Sequence, residues 1–183
     1  MTGNGISNWL DNDKLFFEQL EIGHSWAQYV ADRICERDIP CYATKMEKRS
    51  NKSDRFRFRT EKDILFNNVP GYLDVKANSY EFSDDPMSFP YKAPFVDTAH
   101  GWANKAEKPL AVLLVSQQTG SIIVIPVSTE KMWIPVKKFD RIRKIEDTFL
   151  TIEKSMIRTF DEFIEWLSKR NQHYSKQNTA QTH

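Results

Sequence analysis

Apolar residues recur along this chain at two periods, one helical and one of strands. In HSWAQYVADRICERD (24–38), Ala27, Val30, Ala31 and Ile34 fall at the three- and four-residue spacing of one helix face. Pro40 ends that helix. Ahead of it, Asp13 caps a shorter helix, KLFFEQLE, predicted to end near Gly23. CYATKM, from Cys41, reads as a first short strand, and RFRFR (55–59) alternates in strand fashion. DILFNNVPGYLDVK (63–76) places two short apolar runs around a turn and reads as a hairpin. FSDDPMSFPYKAP (82–94) is an acidic loop containing proline, and DTAHGWANKAEK (97–108) is a short helix or irregular link. LAVLLVSQ (110–117) is apolar throughout and of strand length, which predicts a buried central strand, and TGS turns it into a partner, IIVIPVS. KMWIPVKKFDRIRKIEDTFLTI (131–152) mixes a strand with a basic helix or loop. TFDEFIEWLSKR (159–170) is a capped amphipathic helix with Phe160, Phe163, Ile164 and Leu167 on one side. The order of elements predicts an α/β or α+β layout around one mixed sheet. It divides into a flexible leader (1–12), a single domain (13–170) and a disordered polar tail (171–183).

The hairpin carries the most informative pattern. With its turn at Asn67–Pro70, Ile64 opposes Leu73, Leu65 opposes Tyr72 and Asp63 opposes Asp74. Side chains alternate between the faces of a strand. One face then holds Ile64, Phe66, Leu73, Val75 and Ala77, and the other holds Glu61, Asp63, Asp74 and Lys76. Directly opposed residues have Cβ atoms about 4.5–5.5 Å apart, where two carboxylates repel. A hairpin serving only solubility places Thr there, or Lys opposite Asp. A local cost of this kind points to function.

Size and composition narrow the possibilities without naming a partner. A chain of 183 residues fits one domain with a real core. Its net charge of +1 carries no message, so any surface for an anionic partner comes from uneven distribution. Such a surface is visible at 45–59, with seven Lys or Arg against two acidic residues. Two cysteines without a secretory signal predict free thiols and a cytoplasmic protein, and no apolar run reaches membrane-spanning length. The four histidines have no zinc-ligand spacing. There is no phosphate-binding loop, dinucleotide fingerprint or nucleophile elbow.

A hard divalent cation between Asp63 and Asp74 removes their repulsion. Mg²⁺ binds oxygen, uses one or two carboxylates and keeps several waters. The carbonyl of Val75 is a further candidate ligand, and Lys76 shares the acidic face. Lys76 is then placed to orient or deprotonate a water, or to stabilise charge on a phosphorane. Asp63, a short gap and Asp74-Val75-Lys76 together resemble the signature of the PD-(D/E)-x-K nuclease superfamily. That superfamily includes restriction endonucleases, Holliday-junction resolvases, phage nucleases and repair exonucleases. The resemblance covers three residues as motif and roughly residues 20–127 as layout. It implies a restriction-endonuclease-like fold, a mixed central β-sheet flanked by helices. It also implies Asp63 and Asp74 as ligands of Mg²⁺ or Mn²⁺, and Lys76 as the catalytic cation. Lys62 stands where the signature has proline. No Glu occupies 26–28, where many members carry a helical acidic ligand, so Glu21 or Glu18 is the acidic candidate and Gln28 or His24 the substitute.

The expected function is therefore that of a Mg²⁺-dependent deoxyribonuclease, an endonuclease before an exonuclease. It would act in the cytoplasm of a bacterial or phage-infected cell, as a homodimer if it cuts both strands. Lys48, Arg49, Lys52, Arg55 and Lys92 are the candidate DNA contacts. His100 and Trp102 are weighed as a second base and a stacking platform against ordinary structural roles. The alternative from another class is a non-catalytic nucleic-acid-binding or assembly protein, and a third reading is an RNA-directed nuclease.

Overall fold

The computed structural model describes residues 7–45, 62–140 and 145–180. Its elements in chain order are α1 (Ser7–Cys35), β1 (Cys41–Ala43), β2 (Ile64–Phe66), β3 (Tyr72–Asn78), β4 (Phe95–Thr98), α2 (Ala99–Ala103), β5 (Ala111–Ser116), β6 (Ile122–Pro126), β7 (Ile134–Asp140), β8 (Ile145–Thr151), β9 (Arg158–Thr159) and α3 (Phe160–Ala180). Six strands form a mixed sheet in the order β1-β2-β3-β5-β6-β9. Among the described residues, only the β3–β5 pair of this sheet is parallel. A second sheet of three antiparallel strands has the order β4-β8-β7.

The continuous apolar run is the central strand β5, and all six of its residues are buried. Its alternate residues serve two cores. Ala111, Leu113 and Val115, with Ile64, Phe66 and Leu73 of the hairpin, pack against Ala27, Val30, Ala31 and Ile34 of α1 and Phe160, Phe163, Ile164 and Leu167 of α3. Val112 and Leu114, with Ile123 and Ile125 of β6, pack against Phe82, Phe89, Val96, Trp102, Trp133 and Ile152. The two long helices thus cover one face of the main sheet, while α2 and the second sheet lie on the other. The fold is mixed α and β around a mixed central sheet flanked by helices.

Four expectations change. The stretch predicted as a leader and two helices is one helix from Ser7 to Cys35. Gly23 stays within it, because an interior glycine costs only about 1 kcal/mol relative to alanine and the packed face on its C-terminal side holds the helix together. The helix ends instead at Cys35, and the turn after it closes on Asp38, which takes the left-handed conformation (φ 59°) just before Pro40. At the other end, α3 runs on through most of the predicted tail to Ala180. Tyr174 packs on the first core, and Arg170 lies over the rings of Trp166 and Tyr174 at 5.5 and 5.3 Å, which carries the helix past residue 170. The ambiguous segment 131–152 supplies the β7–β8 hairpin. The sheet is accordingly two sheets. RFRFR lies outside the described residues. Among the described residues, no helix is long and apolar enough to cross a membrane.

Candidate active site

The predicted hairpin register holds: Ile64 pairs with Leu73 and Leu65 with Tyr72. One step further along, Asp63 stands opposite Asp74. The strand β2 begins at Ile64, so among the described residues the edge of β3 beyond it has no strand partner. Asp63 takes that place with its side chain, Oδ2 accepting the N–H of Val75 at 2.6 Å. Its own carbonyl accepts the N–H of Thr44 at 2.9 Å, and the Thr44 hydroxyl donates to the carbonyl of Lys62 at 2.5 Å. The carboxylate is therefore fixed from both neighbouring strands. In an extended strand the N–H and C=O of one residue point to the same side. The Val75 carbonyl therefore faces the edge where Asp63 lies.

Asp74 lies in the centre of the sheet, 7% exposed. Lys76 Nζ is 3.2 Å from its Oδ1, and Lys105 Nζ is 2.9 Å from its Oδ2. The Lys105 contact is an ion pair, and beyond it Oδ2 is buried with no further hydrogen-bond partner. Both ammonium groups also approach Oδ2 of Asp97, Lys76 at 3.7 Å and Lys105 at 3.8 Å. The site is thus larger than the predicted triad, with three aspartates and two lysines.

Asp97 arrives through an irregularity in β4. Phe95 pairs with Thr151 and Asp97 with Leu150, so Val96 is an extra residue on its strand. Such a bulge re-aims a side chain. Here Val96 enters the second core and Asp97 turns towards the main sheet. Thr98 N–H donates to Asp97 Oδ1 at 2.7 Å, and the Thr98 hydroxyl caps α2 by accepting the N–H of Gly101. The backbone of α2 comes close enough that a Cβ on Gly101 would stand 2.7 Å from Thr98 Oγ1 and 3.1 Å from Asp97 Oδ1. Lys105 follows directly after α2, on the segment that leads to β5.

These contacts set the protonation states. Burial raises the Asp63 pKa, and the charge of Asp74 adds to this, to about 7, against the opposing pull of the Val75 N–H and the two lysines. Burial alone would raise Asp74 as well, but Lys76 and Lys105 more than offset it, and its carboxyl is held below the usual range. Burial would lower Lys76, but Asp74 and then Asp97 hold it well above an ordinary lysine. Tyr72, beside them, is pushed up to about 12 by burial and by the neighbouring acidic groups, and its hydroxyl donates to the carbonyl of Glu107.

Asp63 and Val75 also border a cleft of about 190 Å³ beneath α1, lined from the helix by Gln19, Leu20, Gly23 and His24. Glu21 is exposed and is not among those residues, so the structure does not bring the proposed helical ligand into this cleft. Its carbonyl accepts the hydroxyl of Ser25. Lys92 stands exposed on the loop between β3 and β4. Lys48, Arg49, Lys52 and Arg55 lie outside the described residues. Trp102 is a core residue, packed on Trp133 with its N–H donating to Glu130 at 2.6 Å, and His100 is exposed with its ring 3.0 Å from the Asn104 amide. No sequence signal marked Lys105, whose position depends on α2 folding back against the main sheet.

The donor set suits a hard cation. Two carboxylates and a carbonyl supply oxygen, and the buried Oδ2 of Asp74, which has only the Lys105 ammonium beside it, is the kind of atom a metal cation satisfies. Among the described residues, no three His, Cys, Asp or Glu side chains converge closely enough to hold an ion by themselves, so water or substrate oxygens would complete its shell. Comparison with protein-family models, with curated proteins and with solved structures returns no match to this chain.

Proposed function

We propose that this protein is a Mg²⁺- or Mn²⁺-dependent nuclease that hydrolyses DNA phosphodiesters, a member of the PD-(D/E)-x-K superfamily. The observation that carries this reading is the opposition of Asp63 and Asp74 at the open end of the β2–β3 hairpin, with Lys76 3.2 Å from Asp74 Oδ1. The order α1, β1, hairpin, α2, then β5 parallel to β3 supports a restriction-endonuclease-like architecture. Asp63, Asp74 and the Val75 carbonyl would hold the ion. When bound, it supplies a water of lowered pKa and polarises a phosphodiester oxygen.

The protein's own groups divide the remaining work. Lys76 is held protonated by Asp74 and Asp97, so it serves as a fixed positive charge beside the reacting phosphate and not as the base. Asp97 orients both lysines. Lys48, Arg49, Lys52 and Arg55, with Lys92, are the candidate contacts that hold the DNA backbone, and two free thiols suit a reducing cytoplasm.

One observation favours a second reading. Asp74 already has two lysine partners without any ion, as a self-sufficient structural cluster would. In that case the protein is a nucleic-acid-binding or assembly module. Cleavage of supercoiled plasmid and short duplexes, with Mg²⁺ or Mn²⁺, separates the two. Asp74→Ala is expected to lose at least about a thousandfold in rate, the scale of losing a central electrostatic group, while still binding DNA. Full Mg²⁺-dependent cleavage by Asp74→Ala would end the assignment.

A further inference from the structure

The least expected residue in the site is Lys105. Its ammonium lies 2.9 Å from the buried Oδ2 of Asp74, the oxygen with no further hydrogen-bond partner, while Lys76 already serves Oδ1. Its side chain is only 13% exposed, so its charge requires a carboxylate partner wherever it rests. A second such partner is within reach: Asp97 Oδ2 is 3.8 Å away, on a carboxylate anchored through its other oxygen to the Thr98 N–H. The segment that carries Lys105 lies between α2 and β5, outside both elements and held at Lys105 by a single turn bond from its N–H to the carbonyl of Trp102. Lys76, by contrast, is fixed on strand β3 two residues from Asp74.

We propose that Lys105 is a place-holding cation, resting on Asp74 when no divalent ion is present and passing to Asp97 when one binds. The inference rests on the metal-site reading above and adds two positioning residues to it. Three aspartates against two lysines make chemical sense in this arrangement. Asp63 and Asp74 receive the ion, Asp97 receives the displaced ammonium, and no charge is left alone in a buried site. The pair would also keep the site compact without metal, because the Asp74 carboxylate never lacks a cation.

Mn²⁺ binding to the full-length protein without DNA, followed by the paramagnetic resonance signal of free Mn²⁺, tests the exchange directly. Lys105→Met removes the competing charge but keeps the length of the side chain, and is expected to tighten binding about tenfold, the order expected for one nearby charge. Asp97→Asn is expected to weaken binding, because the displaced ammonium then has no partner. The weakening is expected to shrink in the double variant, where there is no ammonium to displace. In a Mg²⁺ titration, the ¹⁵N-detected ammonium signal of Lys105 is expected to move at saturation. Equal or weaker Mn²⁺ affinity in Lys105→Met, with natural binding still dependent on Asp74, would overturn the exchange and leave the metal site standing. An ammonium signal unmoved at saturation would do the same. Absence of Asp74-dependent binding in both the natural protein and Lys105→Met would overturn both. Lys105→Gln, with its melting temperature measured, replaces the Met variant if that one does not fold.

Discussion

At the scale of single residues, environment decides what each titratable group can do. Lys76 and Lys105 belong to the same residue type, yet one is fixed on strand β3 and the other stands on the connection between α2 and β5. The two cysteines make a similar contrast at the end of α1. Cys35 is exposed, while burial, and then Cys35 and Asp32, push the Cys41 thiol well above its ordinary range. The Cys41 sulfur donates to the carbonyl of Ala31, and the two sulfurs lie 3.7 Å apart. The thiolate is the nucleophile, so the residue with less thiolate and less access reacts slowly. Alkylation of the folded protein with iodoacetamide, followed by peptide mass mapping, is expected to modify Cys35 at least about ten times faster than Cys41. Equal rates would show that the buried environment of Cys41 is not the one described.

At the scale of elements, the turn that follows helix α1 closes on a residue poorly suited to the position. Asp38 has φ 59°, a conformation that glycine adopts freely and other residues adopt at a cost. Its carboxylate also sits at the negative end of the helix dipole. Asp38→Gly is expected to stabilise the protein by about 1 kcal/mol, raising the melting temperature by about 2–4 °C for a chain of this size. An unchanged or lower melting temperature would contradict this account. The same physics explains what the sequence discloses. The β5 and β6 runs are legible because strands buried on both faces must be apolar throughout, and the hairpin register is legible because a slip of one residue would turn every side chain over. Strands β7 and β8 are half exposed and rich in lysine and acidic residues, so their period is weak. The continuity of α1 through Gly23 is set by tertiary packing that outweighs a local signal. Asp63, Asp74 and Lys76 are close in sequence and could be read together. Asp97 and Lys105 join them only through a bulge in a second sheet and a five-residue helix, neither of which has a periodic signature.

At the scale of the whole molecule, the site lies where the fold's two halves meet. The α1 and α3 core supports β2 and β3 from one face, while the second sheet brings Asp97, and the segment after α2 brings Lys105, onto the other. With both faces packed, the strands cannot splay to separate Asp63 from Asp74, so the repulsion between these carboxylates is carried by the folded state alone. Asp63→Asn removes one charge and keeps the oxygen that accepts the Val75 N–H. In metal-free buffer at pH 8 it is therefore expected to raise stability by about 1 kcal/mol, a gain opposite in sign to that of most buried substitutions. A divalent ion relieves the same repulsion in the natural protein, so Mg²⁺ at about a hundred times its dissociation constant is expected to add about 2.7 kcal/mol. The two gains should not add, because each removes the same cost: the thermal response to Mg²⁺ is expected to be largely absent in Asp63→Asn. Differential scanning calorimetry of both proteins, with EDTA and with Mg²⁺, measures all four values. A full Mg²⁺ response in Asp63→Asn would place the ion elsewhere, and a lower melting temperature for that variant in EDTA would mean that the opposed carboxylates carry no cost for an ion to relieve.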